Sequence, residues 1–199
     1  MKKSIISAAA IAAATFGMVA LSETSAHAAR SDATSSYISA KVLYAITGAT
    51  ATNVNDGTEF SPDIKNTFGL SLALGSVVRD FRFESELALR GDQDFRNVPH
   101  DAVALFSFML NGYYDLKFSR AIIVPYAGLG LGVAGLSPEQ GGAIMRPAIQ
   151  LMLGVSIPLS DSFDVDVGGK FLKPATFVSG NERVNVNEGE ILAGIRYKF

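Results

Sequence analysis

Cysteine and tryptophan are absent from this 199-residue chain, and histidine occurs only twice. Without thiols there is no disulfide, no thiolate metal site and no lipid attached through a processed cysteine. Charged residues make up only 18% of the chain, with 17 Lys and Arg against 19 Asp and Glu. No basic excess offers itself to nucleic acid. After the first twenty or so residues, no apolar run approaches the ~18 residues that a spanning helix needs.

What is present begins with an export pattern. Lys2 and Lys3 precede an apolar, Ala-rich stretch from Ile5 to Leu21, and Ala26-His27-Ala28 supplies small residues where a signal peptidase reads. The expectation is a cleaved secretory signal over 1–28 and a single domain over 29–199. An uncleaved anchor fits less well, because the apolar core is short and is interrupted by Ser7 and Thr15. Removing Lys2, Lys3 and Glu23 with the signal leaves 15 basic and 18 acidic residues.

The remainder alternates with period 2, the spacing that places successive side chains on opposite faces of a strand. Eight segments are predicted: Ile38–Thr47, Thr67–Gly75, Phe81–Arg90, Phe106–Asp115, Tyr126–Val133, Ile149–Ile157, Phe163–Phe171 and Ile191–Phe199. Each has one apolar face, such as Phe68, Leu70, Leu72 and Leu74 in the second. The opposite face carries Gly, Ser, Ala and charge, and in the first segment Leu43 shares it. Connections alternate too. Tight turns are predicted near Val78–Asp80, Lys117–Arg120 and Ser160–Ser162, and long polar ones over Thr50–Lys65, Gly91–Asp101, Ser137–Ala143 and Pro174–Asn187. Short turns at one end and long loops at the other are the plan of a bacterial transmembrane barrel. Pro125 has no free edge to tolerate it, so it marks the start of the fifth segment.

Two faces leave two ways to close the sheet. A soluble barrel of lipocalin type would put the apolar face inside, but an eight-stranded interior is only just wide enough for side chains to fill it. The apolar face holds too many Phe, Leu and Ile for that space, while the polar face is small enough. No Lys, Arg, Asp or Glu falls on the apolar face within the predicted spans. An Arg or Lys at mid-bilayer would cost ~2–4 kcal/mol, which accounts for their absence from a lipid-facing surface. Aromatic residues group toward the two ends: Phe81, Phe83, Tyr114, Phe163, Tyr197 and Phe199 at one, and Tyr44, Phe68, Phe106 and Phe171 at the other. The fold class is therefore all-β, an eight-stranded antiparallel up-and-down transmembrane β-barrel.

Several stretches carry a family likeness: "LNGYYDLKFSRAIIVPYAGLGLGVAGL" at 110–136, "QLMLGVSIPLSDSFDVDVGGKFLK" at 150–173 and "GIRYKF" at 194–199. With these the chain resembles the small outer-membrane β-barrel superfamily: opacity proteins, OmpA-type transmembrane domains and rickettsial-type surface antigens. The resemblance implies surface exposure in the cell outer membrane and, in some members, adhesion. It also implies that Gly194, Tyr197 and Phe199 act as a C-terminal signal for barrel assembly. Expected partners are outer-membrane lipid and lipopolysaccharide, the barrel-assembly machinery and periplasmic chaperones, and a host or extracellular ligand for the loops. A monomer is expected.

Inside the barrel, Lys41, Arg82, Glu84, Glu86, Arg90, Asp164, Asp166, Lys170, Glu190 and Arg196 are expected to form an ion-pair network occluding the lumen. Asp115, Glu188 and Lys198 share their face. Glu84 and Glu86 could also act as general acid and base, but with Arg82 and Arg90 beside them an ion-paired plug is the simpler role. The expectation is a poorly conducting barrel whose conductance changes in a Glu84→Ala, Glu86→Ala double variant. Gly128, Gly130 and Gly132 lack the spacing and following helix of a phosphate loop. They read as space cleared for Tyr126 or a facing Arg. His100 and the adjacent Asp101 form no triad, so no catalytic, cofactor or metal site is expected. Phe60, Phe95, Val98 and Phe177 in the loops are expected to pack the rim or touch a partner. The functional expectation is a structural or antigenic surface protein, with adhesion through the loops. The alternative is a narrow channel for ions or small apolar molecules.

Overall fold

The structure, a computed structural model, describes residues 34–53, 57–60, 66–93, 103–118, 122–138, 144–179 and 182–199. The readings placed on 1–28, on His100 with Asp101, and on Phe95 and Val98 lie outside the described residues. Among the described residues ten strands follow one another: β1 (Thr34–Asn53), β2 (Glu59–Phe60), β3 (Thr67–Val78), β4 (Phe81–Gln93), β5 (Val103–Asp115), β6 (Val124–Pro138), β7 (Ile144–Pro158), β8 (Phe163–Pro174), β9 (Phe177–Ser179) and β10 (Glu182–Lys198). Eight of them, β1, β3 to β8 and β10, pair antiparallel with their chain neighbours, and β10 pairs back onto β1 to close the barrel. No edge is left in the wall, so its backbone polar groups are satisfied between strands, as a bilayer requires.

The faces sort as the alternation dictates. Outward stand Phe68, Leu70, Leu72, Leu129, Leu131, Leu151, Leu153, Ile191 and Ile195, and Leu131 is 67% exposed. Such a surface is unstable against water and fits lipid. Aromatic pairs mark both rims. Phe81–Tyr114 and Phe163–Tyr197 stack at 5.2 and 5.0 Å on the short-turn side, and Tyr44–Phe68 at 5.1 Å on the other. At the hairpin between β3 and β4 the chain reverses in two residues, and Arg79 takes a left-handed φ of 58°. Lys117 braces this turn, its Nζ donating to the Arg79 carbonyl at 2.5 Å and lying 3.2 Å from Asp80. Pro125 is the second residue of β6, so it does mark the strand's beginning.

The strands extend beyond the predicted segments on the long-loop side. The expected loop over 174–187 contains β9 and the first residues of β10. Likewise, the loop expected from Thr50 begins inside β1, which runs to Asn53 opposite Glu182. The reason is physical. Above the lipid band the outward residues turn polar (Asn185, Asn187) while Val186 faces in and is buried. A search for apolar residues on the outer face therefore ends too soon. β1 and β10, with β2 and β9 at their flanks, rise past the other strands as a ribbon.

Candidate functional site

The bore is where chemistry collects. Inward positions of β4 are Arg82, Glu84, Glu86, Ala88 and Arg90, at the period of the pleat, and all are buried. Their partners arrive from strands across the barrel. Lys41 on β1 places Nζ 2.6 Å from Glu84 and 2.9 Å from Glu86. Lys170 on β8 joins Glu86 at 2.7 Å to Glu190 on β10 at 2.9 Å, and its side chain is 0% exposed. The Arg90 Nε lies 2.6 Å from Glu188 and 2.5 Å from Glu190, while Nη1 donates to the Ser107 hydroxyl at 2.9 Å. Thr47 completes this set by donating to Glu188 at 3.1 Å.

A second set lies toward the short turns. Arg82 donates from Nε to Asp115 at 2.9 Å, and its Nη1 stands 3.9 Å from Asp166. Arg196 meets Asp164 at 2.8 Å and Asp166 at 3.4 Å, and donates to the Ser156 hydroxyl at 2.6 Å. Lys198 reaches Asp164 at 2.9 Å from the mouth. Across both sets, six cations face seven carboxylates. Each buried charge thus has an opposite charge within reach, the condition under which ions are tolerated away from water.

All ten charged residues singled out from the sequence stand inside, and Asp115, Glu188 and Lys198 join them. The sequence reading put Tyr126 on this face but missed Tyr37 and Tyr113. Tyr37 and Tyr113 donate to opposite oxygens of the Glu84 carboxylate, at 3.2 and 3.1 Å. The Arg82 guanidinium carbon lies 4.7 Å from the Tyr113 ring centre and 4.8 Å from that of Tyr126, and Arg196 lies 5.2 Å from Tyr37. Cation and ring attract through the ring quadrupole, more strongly when desolvated. Period 2 from Asn111 and Asp115 points Tyr113 inward, so the signal was there. Tyr37 lay outside the predicted segment.

The glycine stripe is space cleared, but its occupants differ from those expected. A Cβ on Gly128 would meet the Tyr113 ring at 2.6 Å, and one on Gly130 the Gln150 side chain at 2.6 Å. Tyr126 instead crosses toward Gly154 and Gly168, where a Cβ would meet its hydroxyl at 2.5 and 2.7 Å. Tyr126 stands on β6 itself and leans to the next strands, while the facing side chains fill the room its own strand leaves. At the terminal segment, Gly194 faces the bore against Lys41, and Tyr197 and Phe199 stand outside at the rim. Among the described residues, no group of three or more His, Asp or Glu is placed to hold a metal ion.

A closed antiparallel barrel with apolar residues outside and ion pairs inside defines the class: an outer-membrane β-barrel whose outer face contacts lipid. Residues 22–187 match the model of the surface antigen family. The chain belongs to that family. Its fold is similar to that of Neisserial surface protein A, at 22% identity and a TM-score of 0.63, covering 84% of this chain and 100% of the other. The outer membrane protein OprG from Pseudomonas aeruginosa gives 14%, 0.57, 84% and 97% in the same order. The outer membrane protein AlkL, solved in lipid bilayers, gives 16%, 0.53, 86% and 93%. No curated protein matches the chain.

Proposed function

We propose that this chain is a non-enzymatic, monomeric surface protein of the outer membrane, a sealed scaffold that displays its four long connections for recognition or adhesion. The observation that carries this reading is the bore. Glu86, Lys170, Arg90 and Glu190 have side chains 0–1% exposed, so the charged groups are packed against one another and not against a water column. A wet pore would leave such heads hydrated. The sealing weighs against the narrow-channel reading. The ribbon formed by β1 and β10 supports display, because seventeen consecutive residue pairs, Tyr37–Lys198 through Asn53–Glu182, give the connections a stiff base.

In this reading residues 1–28 direct export and are removed, 29–199 form the barrel, and Gly194, Tyr197 and Phe199 are read by the assembly machinery after periplasmic chaperones deliver the chain. The lipid contacts include lipopolysaccharide at the long-loop rim. Protease treatment of intact cells, followed by mass spectrometry, tests the display. Cuts confined to 54–65, 94–102, 139–143 and 175–181 are expected, and cuts at 116–122 or 159–162 would invert the orientation. Adhesion is tested by binding of cells to host cells or matrix, with each connection shortened in turn. Loss of binding with retained barrel supports it, and unchanged binding across all four removes it.

A further inference from the structure

We propose that the bore carries two closures in series, of different chemistry, each able to block it alone. This rests on the sealed-bore reading above. Inward residues on β4 climb by two at a time, about 6.6–6.8 Å along the strand per step. Arg82 is one residue from the turn and Arg90 is near the far end, so the two sets of partners lie at different depths.

The lower closure is aromatic. The Arg82 guanidinium lies against both Tyr113 and Tyr126, whose rings meet edge to face at 5.6 Å, and Arg196 covers Tyr37. These groups come from β1, β4, β5, β6 and β10. The intervening β3 and β7 present Gly75 beneath Tyr37 and Gly154 beneath the Tyr126 hydroxyl. On β8, Gly168 also lies against the Tyr126 hydroxyl, so all eight wall strands contribute to this level. The upper closure is electrostatic, running Lys41–Glu86–Lys170–Glu190–Arg90, and two buried apolar groups pack the bore around it: Leu43, Ala88 and Leu192, and Met109, Ala134, Ala148 and Leu172. The sets touch through the Tyr37 and Tyr113 hydroxyls on Glu84, while ion pairs run within each. Removing the upper carboxylates therefore leaves the rings and guanidinia below in contact.

The consequence revises the expectation for the Glu84→Ala, Glu86→Ala variant: it stays closed. Ser39 faces inward on β1 between Tyr37 of the lower closure and Lys41 of the upper, and it is buried. Because the chain has no cysteine, Ser39→Cys gives a unique thiol between the closures. Four full-length proteins are compared in planar bilayers: wild type, Glu84→Ala with Glu86→Ala, Arg82→Ala with Tyr126→Ala, and all four substitutions together. The same backgrounds carrying Ser39→Cys are exposed on intact cells to a membrane-impermeant thiol reagent. Expected are wild-type conductance from each double variant and discrete openings only from the combination. Labelling of Ser39→Cys is expected in the upper variant and not in the lower one. The labelling reads the arrangement even where the combined variant fails to fold. Openings from either double variant, a folded combination that stays closed, or absent labelling in the upper variant each overturn the series arrangement. Openings from wild type overturn the sealed-bore reading itself.

Discussion

Lys170 holds two carboxylates, Glu86 and Glu190, at 2.7 and 2.9 Å with no exposed surface of its own. Lys170→Met leaves both acids buried with one fewer counter-charge, and its expected cost is ~3–5 kcal/mol in urea unfolding of the reconstituted barrel. Lys198 makes a shorter list of contacts and is 24% exposed, so Lys198→Met is expected to cost below about 1 kcal/mol in the same measurement. Arg79 offers the opposite sign. Its left-handed φ of 58° crowds a side chain that glycine lacks, and Arg79→Gly is expected to stabilise by up to about 1 kcal/mol. The identity of the buried charges was legible in the sequence, because period 2 alone separates the two faces. Their pairing was not. Which cation meets which acid depends on the register of β8 against β10 and on how β4 faces β1, β8 and β10 inside the bore, and no local pattern encodes that.

Strands behave as the unit on which lipid acts. Leu131 lies near the middle of β6 and faces outward, so Leu131→Arg is expected to cost ~2–4 kcal/mol in folding into bilayers. Lys173 also faces outward and is exposed, but it lies near the long-loop end of β8, a position from which a lysine head can snorkel out of the apolar layer. Inside, Gly154 on β7 yields its space to Tyr126, and Gly154→Val is expected to destabilise by ~1–3 kcal/mol through overpacking. Short turns were read closely from the sequence, since Phe81 and Phe163 open strands where alternation resumes. Strand ends on the far side were read short. There the outward residues Asn185 and Asn187 carry the polarity of water, and the polarity rule that located the strands reverses with the solvent.

At the scale of the molecule, the charges that stabilise the interior are withdrawn from solvent, which sets their response to salt. Exposed pairs weaken as ions screen them, whereas buried ones are screened much less. Raising salt from about 0.1 to about 1 M is expected to change the urea midpoint little, and a large fall would place the network in contact with water. The seam between β1 and β10 carries a further consequence. β10 supplies Glu188, Glu190 and Arg196 to the interior, so until it docks Arg90, Lys170 and Asp164 lack these counter-ions. Lys170–Glu190 and Asp164–Arg196 join register neighbours on β8 and β10, but Arg90 on β4 meets Glu188 and Glu190 only when the seam shuts. An open sheet leaves Arg90 short of both acids, so shutting the seam carries an electrostatic reward that a gapped cylinder forgoes.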